Sequence, residues 1–405
     1  MSESTPSHNL STPEFVAMVA WLMALNALAI DVMLPAMSEI GQALGAASEN
    51  DAQLIVVIYM LGFGTSQLVW GPVTDRFGRK SVLSIVLVGY VLASLGCTLS
   101  HDFNTLLIWR FVLGVMAGGT RVIAVSVVRD LYVGRGMARI MSLVMTVFMV
   151  VPILAPLIGQ TILDAFHVWQ STFGVLALGG LIMLIWSHFR LPETRPPEKR
   201  TSINPKAVLS AYATVFKTRE AVGYMFASGI IFGALFAFIS SSEQIFNDIF
   251  ERPDEFVYWF AAIAAAMSVA NFTNARIVER FGQRLISHCA IIGFTIVSLI
   301  LLLITIAEGP NLYVFMALFA IVFMNFGFMG PNFNSMAMEP LGRIAGTASA
   351  LLGFASTTMA ASIGGLIAAQ YDKTLEPVLI GYICLGLVTF AIVLWTEKGK
   401  LFQNK

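Results

Sequence analysis

Charge is what this 405-residue sequence has least of. Asp, Glu, Lys and Arg make up only 12% of it, about half the share in a soluble globular chain. The 24 basic and 24 acidic residues cancel, so no bulk attraction draws the chain to nucleic acid. Cysteine is nearly absent: Cys97, Cys289 and Cys384 lie far apart in apolar stretches, which excludes a disulfide framework and a cysteine metal site. No G-x-x-x-x-G-K-[ST] loop occurs, so nothing in the sequence cradles nucleotide phosphates. No other metal, cofactor or nucleophile constellation stands out, and an enzyme is rejected on that ground. The first fifteen residues contain no Lys or Arg and no small-residue cleavage site. They are not read as a signal peptide, and the first apolar segment is expected to act as an uncleaved targeting signal.

What remains is apolar. Hydrophobic residues make up 57% of the chain and mean hydropathy is +0.79, the composition of a polytopic membrane protein. Twelve segments have roughly spanning length: 13–37, 52–73, 81–99, 105–128, 138–163, 169–190, 220–247, 255–275, 285–306, 311–335, 345–370 and 376–396. An even count puts both termini on one side. With that side inside, twenty Lys and Arg fall in inner loops and tail; only Arg252 and Lys373 fall outside, and Arg110 and Arg121 lie within segment 4. This bias predicts cytoplasmic termini.

Residues 191–219 interrupt the apolar pattern with a polar, basic, proline-bearing stretch. It predicts an N-terminal six-helix bundle over 1–190, a cytoplasmic linker over 191–219 and a C-terminal six-helix bundle over 220–405. The linker reads as a tether, with a short amphipathic helix at 206–217 lying on the membrane surface. The halves also repeat. "DRFGRK" at 75–80 follows segment 2, and "ERFGQR" at 279–284 follows segment 8. Asp75, Arg76, Phe77, Gly78 and Lys80 thus recur as Glu279, Arg280, Phe281, Gly282 and Arg284. Duplicated six-helix halves are a transporter architecture, with the substrate site expected at the midplane between them.

"GPVTDRFGRKSV" at 71–82 is the most specific motif. So short a loop needs a sharp turn, which Gly78 permits, and Asp75 stands where a carboxylate meets the amides of the next helix. This stretch resembles the loop of the major facilitator superfamily between its second and third helices. Further stretches resemble the bicyclomycin/chloramphenicol-resistance (Bcr/CflA) family of drug:proton antiporters within it: "IDVMLPAM" in segment 1, "VVRDLY" closing segment 4, "PILAPLIG" in segment 5 and "PNFNSMAMEPLGRIAGTASALLGF" across segments 10 and 11. The resemblance implies an all-α membrane protein of twelve transmembrane helices in two pseudo-symmetric six-helix bundles. It implies proton-coupled efflux of small-molecule drugs across a bacterial inner membrane by alternating access. A transporter of one specific metabolite is the alternative. The partners implied are drugs or metabolites, protons and the bilayer, for a chain acting as a monomer and needing no cofactor.

One residue poses the central question. Asp31 is the lone acid in a long apolar run, where a charged carboxylate costs on the order of 2.5–3.5 kcal/mol. It therefore has a partner or binds a proton. Arg110, in "LLIWRFVLGVMAGG", is similar to the superfamily arginine associated with proton transfer. Counted along their helices, Asp31 and Arg110 lie about 8–9 Å below the outer boundary, so they are expected to come close, directly or through water. An ion pair that cycles with protonation and a permanent structural pair both remain open.

The substrate cavity is assigned Asn26, Tyr59, Arg121, Met145, Glu243, Asn325 and Asn332. Arg121 lies three turns from Arg110 on the same helix face; cavity lining, pairing with an unidentified acid and snorkelling to the inner surface are its readings. Glu243 reads as a second protonation site, an outer gate contact or a solvated interfacial acid. Met141, Met145 and Met149 form a stripe at spacing four, facing a promiscuous surface or lipid. Pro152, Pro156 and Gly159 permit a bend and a close helix contact in segment 5; Gln160 stands where the family's motif more usually has a second glycine. By resemblance, Asp75, Arg79 and Asp130 form a cytoplasmic charge cluster. Arg76, Gly78, Glu279, Arg280 and Arg343 complete the assigned gate.

Overall fold

A computed structural model describes residues 10–132, 134–200 and 205–402. The described residues form helices and no strand. Twelve helical spans are long and apolar enough to cross a membrane. We number them in chain order: span 1 (Thr12–Ala43), span 2 (Asn50–Phe77), span 3 (Arg79–Thr98), span 4 (Phe103–Leu131), span 5 (Arg139–Phe166) and span 6 (Gln170–Arg190). Spans 7 to 12 are Arg219–Ile249, Pro253–Phe281, Gln283–Glu308, Leu312–Gly342, Gly346–Ala368 and Glu376–Thr396. Helices suit this setting because every backbone donor is satisfied within its own segment.

The chain divides into two compact units. Unit 1 holds residues 1–45 and 58–205; unit 2 holds 46–57 and 206–405. The start of span 2 thus belongs to unit 2, a departure from the simple six-plus-six reading. There Gln53 donates to the buried Gln244 side chain at 2.6 Å, and Asn50 donates to the Tyr371 carbonyl at 2.8 Å.

Unit 1 is packed through small residues. A Cβ on Gly62 would stand 2.2 Å from the Phe111 carbonyl oxygen, and one on Gly114 would stand 2.0 Å from that of Tyr59. Spans 2 and 4 therefore meet backbone to backbone, where shape rather than hydrophobicity holds helices together. Span 1 is broken: one α-helix covers Thr12–Asp31 and a second covers Met37–Ala43. Pro35 has no amide to donate to the Asp31 carbonyl four residues back, and its ring clashes there. A 3₁₀ turn over Leu34–Ala36 follows. Span 5 breaks in the same way: one helix ends at Phe148 and the next begins at Val151, with Pro152 in its first turn. Span 4 opens on Asp102, which accepts from the Thr105 amide at 2.9 Å and hydroxyl at 2.7 Å. That hydroxyl holds the Asp102 carboxyl below its ordinary range.

Unit 2 is packed through aromatic rings. Phe238 stacks on Phe260 with centroids 5.4 Å apart, and Tyr382 stacks on Phe294 at 5.7 Å and Phe319 at 5.8 Å. Tyr382 places its hydroxyl 2.7 Å from the Ala234 carbonyl, so the polar end of a buried ring is satisfied. A helix over Pro205–Lys217 stands where the sequence places an amphipathic one, with Leu209 and Phe216 exposed.

The glycine contacts make a direct expectation. Gly114→Val forces spans 2 and 4 apart and should abolish recovery of monodisperse protein, since overpacking of this kind costs about 1–3 kcal/mol or more. Gly174→Ala, where an added Cβ meets nothing within 4 Å, should leave the melting temperature within about 2 °C. Equal recovery of both variants would show that the helices separate without penalty.

Candidate functional site

Span 1 delivers Asp31 to the interior of unit 1. The residue is 4% exposed and closes the helix that Pro35 ends. A second contact fixes the chain at this point. A Cβ on Gly159 of span 5 would stand 2.0 Å from the carbonyl oxygen of Val32, the residue after Asp31. The glycine of the proline-bearing motif in span 5 therefore lets that span rest directly on the backbone beside the carboxylate. Gln160, at the motif's departure, donates instead to Asp164 at 2.8 Å.

Arg110 is fully buried. Its Nη1 donates to the carbonyl of Ala29 at 2.8 Å, two residues before Asp31. Its guanidinium lies 4.5 Å from the ring centroid of Tyr59 and 5.8 Å from that of Phe173, a cation–π setting strengthened by the absence of water. Among the described residues no ion pair within 4.0 Å joins Arg110 to Asp31. The expected proximity is thus partial: arginine and carboxylate address the same turn of span 1, but the arginine holds its backbone. Tyr59 completes the cluster, donating to the Asn26 side-chain oxygen at 2.9 Å. Asn26, Asp31, Tyr59 and Arg110 therefore form one polar island in unit 1.

The other cavity assignments disperse. Arg121 is exposed, with its guanidinium 5.8 Å from the Phe63 centroid and no acid within ion-pair distance among the described residues. Pairing with an acid is not what the structure shows. Arg110 over Tyr59 and Arg121 over Phe63 repeat one arrangement at successive turns of span 2. Met145 is exposed at the surface of span 5. Glu243 in unit 2 is buried and accepts from Asn247 at 2.7 Å, which corrects the reading of a solvated interfacial acid. Asn325 turns its side chain against Gly293 of span 9 and donates to the Ile321 carbonyl at 2.8 Å. Asn332 is buried and donates to Asn274 of span 8 at 2.8 Å. The sequence reading missed Asn274, a buried amide in an apolar span that needed such a partner.

The charge cluster at the turn joining spans 2 and 3 is denser than expected. Arg79 is wholly buried. It meets Asp75 at 2.6 Å, Asp130 at 2.9 Å and the Thr74 hydroxyl at 2.6 Å. Gly78 makes the turn with φ 93°, and Gly282 makes the equivalent turn in unit 2 with φ 78°. The stretch after span 6 is no mere tether. Glu193 accepts from the Arg79 amide at 2.8 Å and the Lys80 amide at 3.2 Å, capping span 3. Thr194 donates to Asp130 at 3.2 Å, and Arg195 lies 3.6 Å from Asp75.

The equivalent in unit 2 is built differently. Gln283 occupies the place of Arg79, and the buried base is the next residue, Arg284, 2.8 Å from Glu397. Tyr224 also donates to Glu397, at 2.7 Å. Glu397 follows Glu193 by 204 residues, the separation of Glu279 from Asp75, so extending the repeat past span 6 would have found both. Arg76, Glu279 and Arg280 are exposed and form no ion pair among the described residues; each arginine lies over the next phenylalanine. Their assignment to the gate gains no contact here. The side chain of Arg343 lies outside the described residues.

Comparison with known proteins accords with this architecture. The family model for the Major Facilitator Superfamily matches residues 19–369. The chain belongs to that superfamily. It is 30% identical over 376 residues to the bicyclomycin resistance protein homolog of Haemophilus influenzae, covering 91% of this chain and 92% of that one. It is 29% identical over 385 residues to the multidrug resistance protein MdtL of Escherichia coli, covering 94% of each. Among solved structures, the xylose transporter XylE from E. coli superposes with a TM-score of 0.73 at 13% identity, covering 95% of this chain and 98% of that one; at that identity the likeness is one of fold. The chain is thus a membrane transporter of the Bcr/CflA type, and not an enzyme.

The cluster predicts unequal sensitivities. Arg79→Met leaves Asp75 and Asp130 without their base and should cost up to about 3–5 kcal/mol, less by the share of Asp75 that water reaches. Glu193→Gln keeps the size of the cap and loses its charge, for about 1 kcal/mol. Melting temperatures in detergent should therefore rank wild type above Glu193→Gln above Arg79→Met. The reverse order would mean that the strap, not the arginine, holds this end.

Proposed function

We propose that this transporter exports small, moderately apolar compounds in exchange for protons. Alternating access of two six-helix bundles in a bacterial inner membrane, with both termini cytoplasmic, is the mode of action. The observation that carries this reading is Asp31, a carboxylate buried in an apolar span with no ion pair to the one buried base nearby. A charged carboxylate in such a place is costly and a protonated one is not. In this reading Asp31 takes a proton from the outer side and releases it inward, and Arg110 holds span 1 in register through the Ala29 carbonyl. The names of the relatives, one for bicyclomycin and one for multidrug resistance, support drugs as cargo.

The energetics suffice. A proton moving through a driving force of ~150 mV supplies roughly 3.5 kcal/mol, enough for a substrate gradient of a few hundredfold. The apolar Tyr59–Phe63–Phe173 surroundings of the two arginines suit aromatic or alkyl cargo. The Arg79 cluster with its Glu193 strap is assigned to closing the cytoplasmic side. The alternative is proton-coupled transport of one specific metabolite.

The test uses everted vesicles energised to an acid interior and a pH-sensitive dye. Chloramphenicol and related drugs should evoke proton efflux from wild-type vesicles, and Asp31→Asn should reduce it more than tenfold at equal expression. Saturable flux with one metabolite and none with drugs would select the metabolite transporter. Undiminished drug-evoked flux in Asp31→Asn would remove Asp31 from coupling.

A further inference from the structure

We propose that a cavity of about 430 Å³ where spans 7 and 12 end on the same side is a binding site for a phosphate-bearing anion. Three bases line it, Arg219, Lys398 and Lys400, with the acids Glu220 and Glu397. Glu397 is committed elsewhere: it holds Arg284 at 2.8 Å and accepts from Tyr224 at 2.7 Å. Three cations therefore stand against one remaining acid, and the charge balance favours an anion.

The backbone adds to this. Span 7 begins with a helix of 26 residues, Arg219–Gln244, whose cap position is Thr218. No side-chain bond caps this helix, and the Thr218 hydroxyl donates backwards to the Thr214 carbonyl at 2.8 Å. The positive end of a long helix thus opens on the same cavity as the three bases.

The lysines are held in place. Lys398 and Gly399 turn the chain with φ 55° and 76°. The Gly399 amide bonds the Leu394 carbonyl at 3.0 Å, and the Lys400 amide bonds that of Glu397 at 3.0 Å. Farther on, the Phe402 amide donates to Nδ1 of the buried His288 at 3.2 Å. The tail is folded back on the bundle, so part of the ordering cost of a binding site is already met.

The setting identifies the ligand chemistry. Trp395 is 53% exposed beside the cavity, and Arg219 lies 4.7 Å from its ring centroid. An exposed tryptophan next to clustered bases at the end of two spans marks the level of the lipid headgroups. The Arg219 guanidinium, one Nη of which donates to the Trp395 carbonyl, stands with two ammonium groups and the helix amides, a set that suits phosphate oxygens. Both an anionic phospholipid headgroup and a soluble phosphate present that group.

The test takes the full-length protein in a neutral detergent. Short-chain phosphatidylglycerol and phosphatidylcholine are titrated by native mass spectrometry, and inorganic phosphate by calorimetry, against wild type and the double variant K398Q/K400Q. Both substituted residues are exposed, and an unchanged melting temperature verifies the fold. At least one of the two anions should bind, and the double variant should weaken it about twenty-fivefold, at roughly fivefold per lysine. Phosphatidylcholine, whose choline repels the bases, should bind wild type much more weakly. Binding of phosphatidylglycerol alone identifies a lipid headgroup; binding of inorganic phosphate identifies a soluble ligand. The proposal is overturned if neither anion binds wild type, if K398Q/K400Q binds within twofold of it, or if phosphatidylcholine binds equally well.

Discussion

A charge placed among apolar helices must be settled by groups of the same protein, because no solvent reaches it. The buried bases show how this constraint shapes each unit. Arg110 has a carbonyl and two aromatic faces, Arg79 has two carboxylates and a hydroxyl, and Arg284 has one carboxylate shared with a tyrosine. The buried acids differ: among the described residues Glu243 is met by the Asn247 amide, whereas Asp31 makes no ion pair with Arg110.

The two halves solve the same problem with different residues. The turn geometry is retained, with glycine at positive φ opening spans 3 and 9, because backbone sterics leave few alternatives. The ionic arrangement has drifted. Unit 1 places its base at the first position of span 3 and lets Glu193 cap the helix through backbone amides. Unit 2 moves the base one residue on, and Glu397 bonds its side chain instead. A glutamate arriving after the sixth helix of each half is the element both keep. It ties the end of each bundle's chain to the start of its third helix, across more than a hundred residues of sequence.

The fold was legible because its signal is collective: twelve long apolar runs and a repeated turn survive errors in any single residue. The candidate site was legible only in part. Asp31 and Arg110 were found because a charge in an apolar run is costly wherever it sits. Depth arithmetic placed them near one turn but did not foresee that Arg110 would bind the Ala29 carbonyl, since a backbone acceptor leaves no mark in the sequence. Asn325 shows a related limit: its amide donates to the Ile321 carbonyl of its own helix. An amide in a membrane helix announces that it needs a partner, but not which group supplies it. Glu193 was hidden because it lies in a stretch whose polarity suggests solvent, although the repeat contained the information.

The packing around Asp31 gives span 5 a defined bearing on the backbone that carries this carboxylate. Pro35 ends the first helix at Asp31, and Gly159 brings span 5 onto the very next carbonyl. With no side chain interposed, that contact has no soft layer to absorb displacement. Span 5 itself is divided by the break after Phe148, so its two parts are joined by a short non-helical segment. Arg110 grips the same turn of span 1 from the opposite chain neighbour, through Ala29. The Asp31 carboxylate is thus carried by a backbone held on both sides.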